Sequence, residues 1–363
     1  MPSIIHLIRP EIADLEPYIP ISPLEVLADR LGLPVNQLIK LDANENPYGP
    51  TPKALAALAS EPHYAIYPDP EQTQLRAALS RYTKQPMARI ICGAGADELI
   101  DLLLRLFLSP GDAVIDCPPT FGMYAFDTGV CGGRLVEIPR REDFTLDIPA
   151  IERAALETQA KVLFLASPNN PSGNLTPPEE IEHLLHLPLL VVVDEAYIEF
   201  AGAGVSSWVG QHGNLVVLRT FSKWAGLAGL RIGYGLLPEA LVEHLWKIKQ
   251  PYNVSVAAQV AALASLDDLP YLQTNIAHLI AERERILPLL REFPQLKVYP
   301  SQTNFILCRL LKGSALTLKQ DLERLGIIIR HYRKFGLRDC VRISIGTPAQ
   351  NTQLLQALQV AIV

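Results

Sequence analysis

The lysine in RTFSKWAGLAGLRIGYG (219–235), Lys223, sits between Ser222 and Trp224, ahead of a run of small residues that leads to Arg231. A solvated surface lysine needs no such company. A lysine desolvated in a pocket beside another cation loses proton affinity and can attack a carbonyl carbon. Three polar clusters each end an apolar run: SPNNPSG (167–173) after KVLFLA, DEAY (194–197) after LLVVV, and TFSK (220–223) after NLVVLR. Asp194 closes its run, where an ionised carboxylate is costly without a cationic partner. A protonated heterocycle nitrogen would supply one; a turn-capping aspartate is the plainer alternative. Asn170 precedes Pro171 in a turn-rich loop, and Tyr197 lies three residues past Asp194. Taken singly, the first could serve only the turn and the second could satisfy its hydroxyl locally. GAGADELI (93–100) joins an apolar run to a helical pattern, so its first-turn N–H groups form a candidate anion site. It matches neither the Walker A pattern nor G-x-G-x-x-G.

These clusters need a scaffold that brings them together. ARIICGAG (88–95), AVIDCPP (113–119), KVLFLASP (161–168), LLVVVDEAY (189–197) and NLVVLRTFS (214–222) read as strands. Their apolar runs lack polar alternation, which predicts strands covered on both faces by helices. Helical patterns at 71–84, 96–108 and 177–187 fall before or between them, so the fold class is α/β with a mainly parallel sheet. In such sheets ligands bind beyond the carboxyl ends of the strands, where the three polar clusters fall. After about residue 265 the texture changes. A long helical stretch (271–293) leads to TNFILCRL (303–310), a helix near 315–325, GIIIRHY (326–332) and CVRISIG (340–346), an α+β pattern. The predicted division is an N-terminal arm and part of a small domain (1–45), a large domain (46–265) and a C-terminal small domain (266–363).

Bulk properties narrow the function class. The 363 residues are 49% hydrophobic and 19% charged, enough for a sizeable core. A net charge of −6 gives no basic face for nucleic acid. The five cysteines form no C-x-x-C pair, so neither a disulfide framework nor a zinc site is expected, and no metal is predicted. There is no signal-peptide pattern and no apolar run of the ~18 residues that span a bilayer. A soluble, cytoplasmic protein without membrane or nucleic-acid partners is expected.

Together the lysine, the carboxylate, the polar donors and the anion loop are the parts that pyridoxal phosphate chemistry requires. Their order resembles the fold-type I aminotransferases, and among them the histidinol-phosphate aminotransferase family. LDANENPYGP (41–50), YPDP (67–70), GAGADELI, CPPTFGMY (117–124), SPNNPSG, DEAYIEF (194–200), SKWAGLAGLRIGYG (222–235), TNF (303–305) and VRISIGT (341–347) occur in the family's order. The resemblance covers nearly the whole chain. It implies an aspartate aminotransferase-like large domain with a mainly parallel seven-stranded sheet, plus the smaller α+β domain. It also implies that Lys223 carries pyridoxal 5'-phosphate as a Schiff base and that Asp194 pairs with the ring nitrogen. Asn170 and Tyr197 would bond the ring's 3-oxygen, and Phe121 would stack on its face. The amides of Ala96 and Asp97, the Ser222 hydroxyl and Arg231 would hold the phosphate. Tyr67 would reach the cofactor of a neighbouring subunit, which implies a homodimer with shared sites. Arg342, assisted by Arg330, would grip the charged end of an amino donor and of a 2-oxo acid, with Tyr18, Asn46 and Asn304 lining the pocket. Trp224 stands where many members carry a small residue, and Phe121 where some carry tyrosine. The implied reaction exchanges the amino group of L-histidinol phosphate with 2-oxoglutarate. An aromatic amino-acid aminotransferase or a threonine-phosphate decarboxylase is the alternative on the same scaffold.

Overall fold

The computed structural model describes residues 4–17, 20–334 and 336–362. Among them the chain forms twelve strands: β1 (Ile39–Leu41), β2 (Ile90–Gly93), β3 (Ala113–Asp116), β4 (Arg134–Glu137), β5 (Val162–Ala166), β6 (Leu190–Asp194), β7 (Leu215–Thr220), β8 (Gly233–Leu236), β9 (Leu296–Val298), β10 (Phe305–Leu310), β11 (Ile327–His331) and β12 (Cys340–Ser344). They build two sheets. The seven-stranded sheet has the order β2-β8-β7-β6-β5-β3-β4. Only β8 runs against the others, antiparallel to both β2 and β7, so the expected mainly parallel seven-stranded sheet is present. Strands β3, β4, β5, β6 and β7 pair in parallel.

The apolar runs explain why this sheet is covered on both faces. Leu163, Leu165, Val191, Val193 and Val217 belong to one apolar cluster, with Leu75 and Leu79 of the helix Thr73–Thr83. Their alternating neighbours Val162, Phe164, Val192 and Val216 belong to a second, with Leu99, Ile100 and Leu103 of the helix Gly95–Phe107. Period-2 side-chain alternation thus feeds two cores from one strand. The polar residues that close β5, β6 and β7 are left at one edge of the sheet. Chain order reverses between β3, which leads outward to β4, and β5, which leads the other way to β6. Such a switch point opens a crevice beyond the strand ends.

The second sheet has the order β1-β11-β12-β10-β9. Its first strand comes from far upstream and pairs in parallel with β11; the other pairings are antiparallel. The helices Leu269–Arg291, Ala315–Arg324 and Pro348–Ala361 accompany it.

Four strands, β1, β4, β8 and β9, are absent from the sequence reading. β8 is the instructive case, because glycines weaken strand propensity. Here Gly233 is required by space: a Cβ on it would lie 2.5 Å from the Ala96 nitrogen and 2.7 Å from the Gly95 carbonyl carbon. The strand therefore presses directly on the loop that opens the helix Gly95–Phe107. Gly233→Ala should cost about 1–3 kcal/mol by overpacking against backbone, measured as a lowered urea-unfolding midpoint. Unchanged stability would show that the loop can give way.

Candidate active site

A cavity of about 280 Å³ opens beyond the carboxyl ends of the parallel strands. Its lining comes from five loops of the large sheet and from the small sheet. Ala96 and Asp97 follow β2, Phe121 follows β3, Asn170 follows β5, Asp194 and Tyr197 come with β6, and Ser222, Lys223 and Arg231 follow β7. Arg330 on β11 and Arg342 on β12 complete it. The fold thus brings together every one of these sequence-predicted residues.

At one end lies an anion cup. The helix Gly95–Phe107 has no side-chain N-cap bond, and its first residues line the cavity. Its free N–H groups and dipole favour a negative group there. Thr220 Oγ1 donates to Ser222 Oγ at 2.9 Å, which leaves the Ser222 hydroxyl hydrogen for an incoming oxygen. Arg231, in the left-handed region at φ 52°, pairs with Asp97 at 2.7 Å. Gly95, at φ +81°, leaves the Arg231 guanidinium room, since a Cβ would meet Nη2 at 2.7 Å.

Asp194 also lines the cavity, buried at the end of β6. Tyr124 donates to its Oδ2 at 2.6 Å and the Ala196 amide to its Oδ1 at 3.0 Å. Burial nevertheless raises the carboxyl to about 6, and Asp97 and Glu195 push the same way. A buried carboxylate with neutral donors and acidic neighbours is suited to a cationic ring N–H. Lys223 lines the same cavity. Its Nζ donates to the Ala43 carbonyl at 3.2 Å. Burial lowers its pKa to about 8, and Arg342 and then Arg231 add to the shift while Glu45 and Asp97 oppose it. An amine so placed is a nucleophile near neutral pH.

Donors for a ring oxygen are also present. Tyr197 Oη accepts from Asn44 Nδ2 at 3.0 Å, which leaves its own hydrogen free to donate. Burial raises that phenol to about 12, so it stays protonated. Arg342 Nη1 donates to Asn170 Oδ1 at 2.5 Å, leaving the Asn170 amide hydrogens for a ligand. Arg342 is buried, and its Nη2 donates to the Asp42 carbonyl at 2.6 Å. It lies directly across β11 and β12 from Arg330. Two like charges facing each other across strands oppose stability, and an anionic ligand offsets that repulsion. The residues present therefore fit pyridoxal phosphate: an anion cup, a nucleophilic amine, ring-oxygen donors and a carboxylate awaiting a cation.

Some expected residues lie elsewhere. Asn46 and Asn304, read as pocket-lining, are not among the cavity's lining residues. Asn46 Nδ2 donates to the Trp224 carbonyl at 2.9 Å and Asn304 Nδ2 to the Asn44 carbonyl at 2.9 Å. Both sit one layer behind, because backbone carbonyls in the loops that carry the lining residues need buried donors. Tyr67 does not line this cavity either; it is 79% exposed and stacks on Tyr252 with ring centroids 4.7 Å apart. Tyr18 lies outside the described residues. Trp224 points away from the cavity into the core, donating to the Thr220 carbonyl at 2.8 Å and stacking on Tyr82. Its bulk therefore leaves the lysine's side of the pocket unobstructed. Sequence reasoning missed Asn44, Tyr124 and Tyr332. Asn44 lies in the quoted LDANEN segment and Tyr124 in PPTFGMY, yet an asparagine among asparagines and a tyrosine on an apolar helix face carry no distinguishing pattern.

The model of the family "Aminotransferase class I and II" matches residues 36–358. The histidinol-phosphate aminotransferase of Roseiflexus castenholzii is 57% identical over 365 residues, covering 98% of this chain and 98% of that one. The chloroplastic histidinol-phosphate aminotransferase of Nicotiana tabacum is 50% identical, covering 97% of this chain and 86% of its own. Among solved structures, the histidinol-phosphate aminotransferase from Sinorhizobium meliloti in complex with pyridoxal-5'-phosphate superposes with a TM-score of 0.90 at 31% identity, covering 98% of this chain and 97% of that one. The chain belongs to the class I and II aminotransferases and, within them, to the histidinol-phosphate aminotransferase family. No helix among the described residues is long and apolar enough to cross a membrane.

The Lys223 shift predicts a pH signature in cofactor-free protein. The folded state releases this proton near pH 8, and the ordinary lysine value is 10.5. Below about pH 8 both states hold the proton, and the buried charge opposes folding. From about pH 8 to 10.5 only the unfolded chain holds it, so the penalty fades as pH rises. Lys223→Met should therefore be more stable than the unaltered protein below pH 8, with the difference shrinking toward pH 10.5. Urea unfolding across that range checks this; a constant difference would contradict it.

Proposed function

We propose that the protein transfers the amino group of L-histidinol phosphate to 2-oxoglutarate, and the reverse, with pyridoxal 5'-phosphate as cofactor. The observation that carries this reading is the pairing of an amine held near pH 8 with two arginines facing each other across β11 and β12. The cofactor, once bound, supplies an electron sink that acidifies the amine-bearing carbon of the substrate. Ala96, Asp97, Ser222 and Arg231 bind its phosphate. Asp194 would accept from the ring N–H, and Phe121 would cover the ring face. Asn170 and Tyr197 would donate to its ring oxygen.

Lys223 Nζ, buried and facing the cavity, would take the proton from the substrate carbon and hold it for return. Arg330 and Arg342 grip the substrate phosphate in one half-reaction and a carboxylate of glutamate or 2-oxoglutarate in the other. The guanidinium fork suits both groups. Tyr332, which also lines the cavity, sits within cation–π reach of both arginines, at 5.9 and 6.0 Å, and helps confine them.

The working unit in this reading is a homodimer with shared sites. Tyr67, 79% exposed and stacked on the exposed Tyr252, supports it, since exposed aromatic surface marks interaction sites. Tyr67 would then complete the partner's phosphate cup. Two measurements test the proposal. The purified protein loaded with cofactor should turn over histidinol phosphate with 2-oxoglutarate at a kcat/KM at least tenfold above phenylalanine or tyrosine, and Lys223→Ala should abolish turnover. Equal or better aromatic turnover would overturn the substrate assignment. For the shared site, Lys223→Ala and Tyr67→Ala chains are mixed and reassembled. Each mixed dimer should hold one intact site and recover activity that neither parent has. No recovery would place Tyr67 in its own chain's site or in none.

A further inference from the structure

Tyr124 is unassigned by the reading above, yet it touches two parts of the site. It is fully buried on the helix Met123–Val130. Its ring lies parallel to Phe164 of β5, with centroids 4.7 Å apart, and meets Phe121 edge-on at 5.6 Å. Its hydroxyl donates to Asp194 Oδ2 at 2.6 Å. One rigid side chain therefore braces both the residue that covers the ring face and the carboxylate at the ring nitrogen. We infer that Tyr124 is a positioning residue that, by donating to Asp194 Oδ2, keeps the shared proton on the cofactor's ring nitrogen; this rests on the functional reading above.

The argument concerns a contest for one proton. Carboxylate and ring nitrogen share it, and whichever base is weaker yields it to the other. Burial makes Asp194 a stronger base, and the acidic neighbours Asp97 and Glu195 strengthen it further. Donors to the carboxylate oppose this by stabilising its charged form. Among the described residues two do so: the Ala196 amide on Oδ1 and the Tyr124 hydroxyl on Oδ2. Each oxygen accepts one and retains capacity for a ring N–H. The Tyr124 hydroxyl cannot itself become the base. Burial and the charge of Asp194 hold its pKa well above the ordinary value, with Asp116 and Tyr197 adding to the effect. It therefore stays protonated and available as a donor. Full burial and the stack on Phe164 confine the ring, and its hydroxyl already bonds Asp194.

Tyr124→Phe removes the hydroxyl and keeps both ring contacts. The test compares dissociation constants of two ligands, pyridoxal phosphate and its analogue with carbon in place of the ring nitrogen, read by quenching of tryptophan fluorescence. The variant should bind pyridoxal phosphate about tenfold more weakly, as expected for one lost hydrogen bond to a charged group. Affinity for the carbon analogue should not change, because it has no proton to contest. In turnover, kcat should fall while KM for histidinol phosphate moves little. Equal weakening for both ligands would reduce Tyr124 to a packing residue and overturn the inference, as would no weakening for either. If Tyr124→Phe does not fold, 3-fluorotyrosine in place of tyrosine offers a stronger donor. It should tighten pyridoxal phosphate relative to the carbon analogue, and a ratio that stays constant would overturn the inference. An unaltered protein that fails to bind pyridoxal phosphate would overturn the functional reading itself.

Discussion

The site depends on one constraint: a carboxylate, Asp194, stands at the end of a strand whose every residue is buried. A strand covered on both faces leaves its terminal side chain in a low-dielectric crevice. The charge there requires donors on the protein side and a cation on the ligand side. Tyr124 and Ala196 supply the donors. The same dry surroundings act oppositely on Lys223, where burial favours the neutral amine. One physical cause, desolvation, thus prepares both a base that wants a cation and an amine that can act as a nucleophile.

The two sheets divide the work. The large sheet offers five loops at one edge, and its rigid strands set the distances between cup, lysine and carboxylate. The small sheet brings the arginine pair. The two are knitted at Asn44, whose backbone amide donates to Ser344 Oγ at 2.8 Å on β12. Its carbonyl accepts from Asn304 and its Nδ2 donates to Tyr197. Asn44, at φ 55°, is held by this bonding in a conformation that few residues adopt. Any shift of the small sheet is therefore felt at the hydroxyl of Tyr197. Arg342 adds a second tie, bonding Asn170 of the large sheet and the Asp42 carbonyl beside β1.

Much of this arrangement was legible in the chain. Apolar runs ending in SPNN, DEAY and TFSK place polar residues at strand ends, and parallel strands put those ends on one edge. That reasoning reaches Asn170, Asp194, Tyr197, Ser222 and Lys223 without coordinates, because strand direction and alternation are local properties. The glycine loop and the helix after it are local as well. Asn46 and Asn304 were misplaced because sequence tells that a side chain is near a site, and not whether it faces the cavity or the backbone behind it.

What only the tertiary structure decided is register and orientation. Arg330 and Arg342 stand in no anion motif of their own, and only the resemblance named them together. They become a pair because β11 and β12 align them opposite each other. Tyr124 reads as one more apolar-face aromatic until the parallel packing on Phe164 aims its hydroxyl at Asp194. β8 reads as loop until Gly233 is seen pressed on the Ala96 nitrogen. The sequence alone determined which side chains could act and which elements carry them, because helices and strands follow from short-range periodicity. Which of them meet, and with what charge and hydrogen-bond partners, was decided by contacts between residues distant in the chain, and local pattern does not encode these.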